Sequence, residues 1–157
     1  MVGPSISTEQ QAAESLIRDL VAAEVGVDLE PKSLLLRGGA RVDVDGVGAE
    51  NSVLVEIFAH QGPLKGSQVH KVARDALKLI TLGRGWPQAR LIVAFADAEA
   101  ANGVTGKSWL AEALRTWGVE VLVVELDAEV LAGLREAQRR QVMVNPPSTQ
   151  AAAEPRP

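Results

Sequence analysis

Residues 41–60 read RVDVDGVGAENSVLVEIFAH, and this stretch decides the fold. Valines alternate with Asp43 and Asp45, which is the two-residue period of a strand and puts both carboxylates on one face. Residues 53–59 are apolar except for Glu56, which is typical of a second, buried strand. The stretch therefore predicts two neighbouring strands joined by a polar loop that contains glycine.

The position of Glu56 is the first indication of chemistry. A carboxylate inside an apolar strand is costly unless it is paired, hydrogen-bonded or bound to a cation. The strand period places Glu56, Phe58 and His60 on one face, and a neighbouring strand ending at Asp45 brings a second carboxylate to the same spot. Two hard oxygen ligands suit a magnesium ion. The alternative is that Glu56 meets an arginine or a backbone donor at a sheet edge.

The composition bounds the class of protein. A chain of 157 residues with 23% charged residues and a net charge of −4 fits one globular domain with a core. The absence of cysteine excludes disulfides and thiolate metal sites, and two histidines argue against a multi-histidine zinc site. The aromatic content of 3% argues against a platform for base stacking. Without a signal-like start or a long apolar run, we expect a cytoplasmic protein with no membrane partner.

Hydrophobic periodicity predicts an alternation of helices and strands along the chain. A capping box at Ser7 and Gln10 begins a first helix that ends at Gly26. The remaining predicted elements are strands at 34–36, 41–45, 52–60, 91–96 and 119–126, and helices at 67–82, 107–117 and 128–142, the last capped by Asp127. We expect a single α/β domain over residues 1–144 and a disordered tail, rich in proline and alanine, over residues 145–157.

The second predicted helix is basic. Residues 60–90 contain six lysines and arginines but a single acid, Asp75, in a chain that is acidic overall. Its apolar positions, which include Leu77, predict the core face, and Lys71, Arg74 and Lys78 are expected on the opposite face. A basic segment beside a carboxylate pair suits a phosphodiester substrate, and a solvated helix face is the alternative.

Residues 101–108, ANGVTGKS, satisfy a loose form of the phosphate-binding loop, with Lys107 on the phosphates. Two features argue against it. Ala101 stands where the strict motif has glycine, and residues 97–100 separate the motif from the preceding strand. The simpler prediction is a loop over residues 97–106 followed by a helix that Ser108 caps.

The order of elements and the spacing of the acids resemble the PD-(D/E)XK nuclease superfamily, with its restriction-endonuclease-like fold. Glu14 in AAESLIRDL matches the Glu of the first helix, Asp45 in VDVDG matches the strand-end Asp, and Glu56 in VLVEIF matches the strand Glu. Gln68 in GSQVHK resembles the Gln of the following helix. The resemblance covers residues 8–126 and implies a central mixed sheet of about five strands flanked by helices.

The chain departs from the family at Phe58, which stands where the family has a lysine two residues after the Glu. Lys65 and His60 are the candidates to replace that lysine, whereas helical geometry directs Lys71 away from the core face. The resemblance implies that Asp45, Glu56 and Glu14 hold Mg²⁺ or Mn²⁺ and that Gln68 orients the substrate or a water molecule.

The function expected from this resemblance is a magnesium-dependent nuclease, a hydrolase acting on nucleic-acid phosphodiesters. The alternative is a catalytically inactive member of the same fold that binds nucleic acid or protein. Members of the superfamily are commonly dimers, so a homodimer is also expected.

Overall fold

The computed structural model of the chain describes residues 8–144. In chain order the elements are α1 (Thr8–Val25), β1 (Glu30–Leu35), β2 (Arg41–Val47), a 3-10 turn (Ala49–Asn51), β3 (Val53–Phe58), α2 (Gly66–Gly83), β4 (Arg90–Phe95), α3 (Ala98–Thr105), α4 (Trp109–Thr116), β5 (Val119–Val123) and α5 (Ala128–Val144). The predicted cap at Ser7 and the predicted tail at residues 145–157 lie outside the described residues.

The five strands form one mixed sheet in the order β1-β2-β3-β4-β5. The first three strands pair antiparallel, and β3, β4 and β5 pair parallel. Each parallel pair is joined through helices, as parallel connections require. The predicted fold class, an α/β domain with a mixed sheet of about five strands flanked by helices, is confirmed.

The sheet separates two hydrophobic cores. One core packs α2, α3 and α4 against the face that carries Leu54 and Phe58 of β3. The other packs α1 and α5 against the face that carries Val53, Val55 and Ile57. Every residue of β3 is buried because the strand lies at the centre of the sheet with helices on both faces. Glu56 is therefore held in the interior by its strand.

The connection between β2 and β3 is tight. Glu50 and Asn51 adopt left-handed backbone conformations, with φ of 57° and 55°. At Gly48 a Cβ atom would approach Cγ1 of Val27 to 2.9 Å, so the backbone passes too close to its neighbour for a side chain. The glycine-containing loop predicted from the sequence is thus a compact turn that sets the register of the two strands.

Three predictions about individual elements are wrong. Residues 98–105 of the expected loop form α3, because Asp97 accepts a hydrogen bond from the backbone N–H of Glu99 and begins a helix there. The apolar run at residues 119–126 predicts another buried strand, but β5 lies at the sheet edge, where Glu120 and Val123 are exposed. On α2, Leu77 is 64% exposed, whereas Asp75 faces the interior. A short apolar pattern did not distinguish an edge strand from a central one.

Candidate functional site

The two strands of the opening stretch diverge at the position of the acids. Pairing between β2 and β3 is restricted to Val47 with Leu54 and Gly46 with Val55, so the next position along the register sets Asp45 opposite Glu56. Instead of continuing the ladder, Oδ2 of Asp45 accepts a hydrogen bond of 2.9 Å from the N–H of Ile57. The Asp45 carboxylate thus fills the opening between the strands and lies beside Glu56.

Glu56 is 3% exposed and has an ammonium group as its partner. Nζ of Lys78, from α2, lies 2.5 Å from Oε1 of Glu56 and donates a hydrogen bond of 2.8 Å to the carbonyl oxygen of Asp43. Oε1 is nevertheless buried without a hydrogen bond of ordinary geometry. Burial first, and then the hydrogen bond and negative charge of Asp45, raise the pKa of Glu56 to about 8 against the opposing effect of Lys78.

The helix α1 supplies a third carboxylate from the other face of the sheet. Glu14 is half-buried, and burial followed by the charge of Asp45 raises the pKa of its carboxyl group, while Lys71 and Arg18 oppose that rise. Nε of Arg18 donates to the backbone carbonyl of Asp45 at 2.6 Å, which ties α1 to the end of β2. Glu14, Asp45 and Glu56 are therefore electrostatically linked in series through the sheet.

Phe58 is packed in the core of the protein. It is 5% exposed, and its ring stacks on Phe95 of β4 with centroids 5.2 Å apart. Nζ of Lys71 lies 5.2 Å from the Phe58 ring centroid, in a cation–π arrangement. An ammonium group consequently lies over Phe58, at the position where the resemblance implies a lysine. Lys71 is exposed, as expected for a residue directed away from the core face of α2, but its long side chain reaches back to the Phe58 ring.

The first turn of α2 positions Gln68 and Lys65. Oε1 of Gln68 accepts the N–H of Lys65 at 2.8 Å, which closes a capping box at the start of the helix. Lys65 itself is exposed, and His60, just after β3, is partly exposed. This arrangement holds Gln68 and His60 at the carboxyl end of a parallel strand, where ligands commonly bind in α/β proteins.

A cavity of about 350 Å³ opens at this end of β3, between α1, α2 and α5. We call it the glutamine cleft, after the four side chains Gln10, Gln68, Gln138 and Gln141 that line it. Glu14, His60 and Lys71 line it as well, and an adjoining cavity that shares His60 and Gln68 extends to Lys65. Asp45 and Glu56 do not line it. Of the predicted site residues, Glu14, His60 and Gln68 thus line the cleft and Lys65 lines the adjoining cavity, whereas Asp45 and Glu56 line neither.

The donor set around Asp45 and Glu56 has the chemistry of a magnesium site but not a complete coordination sphere. Within residues 8–144, no group of three or more histidine, aspartate or glutamate side chains is arranged to hold a metal ion. Magnesium in proteins is often held by one or two carboxylates, with water and substrate phosphates as the other ligands. The carboxylates of Asp45 and Glu56 match that smaller requirement in number and type, with Oε1 of Glu56 in contact with the ammonium of Lys78.

The basic segment is partly neutralised in the folded chain. Lys78 pairs with Glu56, and Arg90 makes two hydrogen bonds to Glu120, of 3.0 and 2.8 Å. Among the described residues, Lys65 and Arg84 make no ion pair, and Lys71 contacts Phe58. The positive charge left over near the site is therefore that of Lys65 and Lys71, at the glutamine cleft and its adjoining cavity.

The phosphate-loop interpretation of residues 101–108 is wrong. Ala101 and Val104 are buried in α3, so the segment is a helix packed in the core and not a loop that follows a strand. Ser108 accepts a hydrogen bond from the N–H of Ala111 and caps α4, as the simpler prediction stated. Lys107 is an exposed residue of the short connection.

Sequence reasoning missed two lysines and two glutamines of this region. Lys71 and Lys78 are seven positions apart in α2 and lie on one stripe with the buried Asp75 between them. That spacing was the available signal, since one stripe of a helix must border the strand it packs against. Gln138 and Gln141 belong to α5, and no local pattern linked that helix to the end of β3.

No family model, curated protein or solved structure matches this chain. Function must consequently be argued from the residues and their geometry. Within residues 8–144, no helix combines the length and the apolar character needed to cross a membrane.

Proposed function

We propose that this chain is a magnesium-dependent, nuclease-like protein of the PD-(D/E)XK superfamily that acts on nucleic-acid phosphodiesters. The observation that carries the proposal is the meeting of Asp45 and Glu56 where β2 and β3 separate, with the ammonium of Lys78 against Glu56. The order of α1, three antiparallel strands, α2 and a parallel strand supports it, because the resemblance implies that order.

Asp45 and Glu56 are the residues that would hold a divalent ion, with Glu14 close enough that the charge of Asp45 helps to raise the pKa of the Glu14 carboxyl group. A bound ion would supply a lowered pKa for its water and positive charge for the scissile phosphate. The protein's own contribution is the fixed position of the acids, which the hydrogen bond from Ile57 to Asp45 and the packing of β3 provide.

The role of the family's missing lysine falls to α2 in this proposal. The ammonium of Lys71 lies over Phe58 and lines the glutamine cleft, so it is placed to meet a phosphate that enters from solvent. Lys78 lies deeper and balances the charge of Glu56. Lys65 and His60, the replacements expected from the sequence, border the adjoining cavity, where they would contact a longer substrate.

One set of contacts favours a second candidate, the inactive member of the fold. A carboxyl group with a pKa near 8 holds its proton at neutral pH, and its close contact with Lys78 occupies the oxygen that an ion would need. Phe58 is also part of the core. In that case the carboxylate cluster serves stability, and the cleft serves binding alone.

A cleavage assay tests the proposal. Labelled single-stranded and duplex DNA and RNA are incubated with the protein at pH 8.5 in Mg²⁺, Mn²⁺ or EDTA. We expect metal-dependent cleavage that Asp45→Asn lowers by about 10²-fold or more, because transition-state charge loses its stabilisation. Asp43→Asn, on the same strand with an exposed side chain, is the matched control and retains activity. If the wild-type protein cleaves none of these substrates in either metal, the inactive candidate replaces the nuclease.

A further inference from the structure

We propose that the glutamine cleft binds a single unpaired nucleobase, so that the protein recognises single-stranded nucleic acid and discriminates against duplex. This inference rests on the proposed function, because it names the form of nucleic acid that a site at Asp45 and Glu56 would act on. It concerns binding, however, and it is tested without metal or cleavage.

The walls of the cleft offer apolar contacts to a ligand. Apolar lining comes from Ile57 and Phe58 at the end of β3, from Leu64 in the loop before α2 and from Leu134 of α5. A flat base requires apolar contact on its faces and hydrogen bonds on its edge. Aromatic stacking partners are scarce in this chain, at 3% of residues, so aliphatic walls and amide groups provide those contacts here.

The glutamine amide groups of the cleft offer hydrogen-bond donors and acceptors to a ligand. Gln10 and Gln141 exchange two hydrogen bonds, of 3.1 and 2.9 Å, and join α1 to α5 across the cleft. Each glutamine amide has two N–H donors and an oxygen with two lone pairs, so this exchange leaves Gln141 with one further donor and acceptor. Gln68 uses its oxygen for the N–H of Lys65, and among the described residues its Nε2 has no partner. Paired donors and acceptors of this kind match the edge of a nucleobase.

The size and charge of the cleft suit one nucleotide with its flanking phosphates. A volume of about 350 Å³ is at the lower end of the range for small-ligand sites and holds one nucleotide rather than a base pair. Lys71, which lines the cleft together with Glu14, and Lys65 in the adjoining cavity supply positive charge for the flanking phosphates. A base can therefore enter only when it is free of its pairing partner.

Fluorescence anisotropy in EDTA tests this inference on the full chain. Labelled single-stranded DNA and RNA oligonucleotides are compared with duplexes of the same sequence. We expect single strands to bind roughly tenfold or more tightly than duplex, since unpairing must otherwise accompany binding. Nucleoside monophosphates should compete with the single strand, whereas inorganic phosphate at the same concentration should not.

The variant Gln141→Leu should weaken binding of single strands by about tenfold, the loss expected for one bidentate amide contact. Gln88→Leu is the matched control, an exposed glutamine just before β4, at the end of the parallel strands opposite the cleft, and it should bind as the wild type does. Equal or tighter binding of duplex, competition by inorganic phosphate alone, or an unchanged affinity in Gln141→Leu overturns the inference. Cleavage in metal is measured separately, so a failure of this inference is distinguishable from a failure of the proposed function.

Discussion

Nζ of Lys78 on α2 lies 2.5 Å from Oε1 of Glu56 on β3, and this contact joins a surface-bordering helix to the most buried acid of the sheet. The ammonium also donates to the carbonyl oxygen of Asp43, so it bridges two strands. Burial still dominates the energetics of Glu56, because its pKa is raised despite this partner. The ionised form of Glu56 is therefore disfavoured in the folded chain, and binding of a proton or of a second cation would offset that cost.

The free energy of unfolding should fall as pH rises through the titration of Glu56. The pKa of this group is about 8 in the folded chain, compared with 4.5 as its ordinary value, so the folded state retains a proton that the unfolded state releases. The contribution of Glu56 to the free energy of unfolding is consequently largest below pH 4.5. That contribution is lost as the pH rises from about 5 to about 8. Glu56→Gln should remove this dependence and gain about 1–3 kcal/mol over the wild type at pH 9. Urea unfolding at several pH values measures it.

Glu120→Gln is a control, because the contribution of Glu120 to stability should change with pH in the opposite direction. Its hydrogen bonds to Arg90 lower the pKa of Glu120, so this acid contributes stability above its ordinary pKa that is lost as pH falls. Since the pair is about half exposed, the substitution should cost less than about 1 kcal/mol and should gain nothing at pH 9. A wild-type stability that does not fall between pH 5 and pH 8, relative to Glu56→Gln, contradicts the placement of Glu56.

Lys78→Met should destabilise the fold by about 1–2 kcal/mol at pH 7, because Glu56 and the carbonyl of Asp43 both lose their donor. The loss should grow at pH 9, where the wild-type Glu56 ionises next to the ammonium and the variant has no cation there. Lys107→Met, at an exposed position, is the matched control and should change stability by less than about 0.5 kcal/mol. A loss that is independent of pH would assign Lys78 a packing role only.

Phe58→Ala should cost about 3–5 kcal/mol, since it removes a buried ring that stacks on Phe95. Leu77→Ala on α2 provides the comparison: helical periodicity predicts a core residue there, but the side chain is 64% exposed. That substitution should cost less than about 0.5 kcal/mol. Thermal unfolding of both variants measures the difference, and equal losses would place Leu77 in the core after all.

The fold could be predicted from the sequence where the hydrophobic residues recur with the clear period of a strand or a helix. The alternation in VDVDG, the apolar run around Glu56 and the helical pattern of α2 identified the central elements and their order. The loop predicted over residues 97–106 failed because Asp97 begins a helix whose few apolar positions gave only a weak pattern.

The site could be predicted only in part, for a geometric reason. Spacing of acids along two strands suggested that Asp45 and Glu56 meet, and the register sets them opposite each other. The role of Lys78 depends on which stripe of α2 faces β3, and Leu77 beside it misled the choice of stripe by its apolar character. The contribution of α5 to the glutamine cleft depends on tertiary packing, which no local pattern contains.

The proposal that Asp45 and Glu56 form a cation site is tested most directly by titration calorimetry with Mn²⁺ at pH 8.5, on the wild type, Asp45→Asn and Asp43→Asn. We expect the wild type and Asp43→Asn to bind one ion, more weakly at pH 6.5, because the proton must leave Glu56 before its oxygen can coordinate. Asp45→Asn should show no binding. A wild-type protein that takes up no Mn²⁺ at millimolar concentration, or an Asp45→Asn variant that binds as the wild type does, contradicts the central claim.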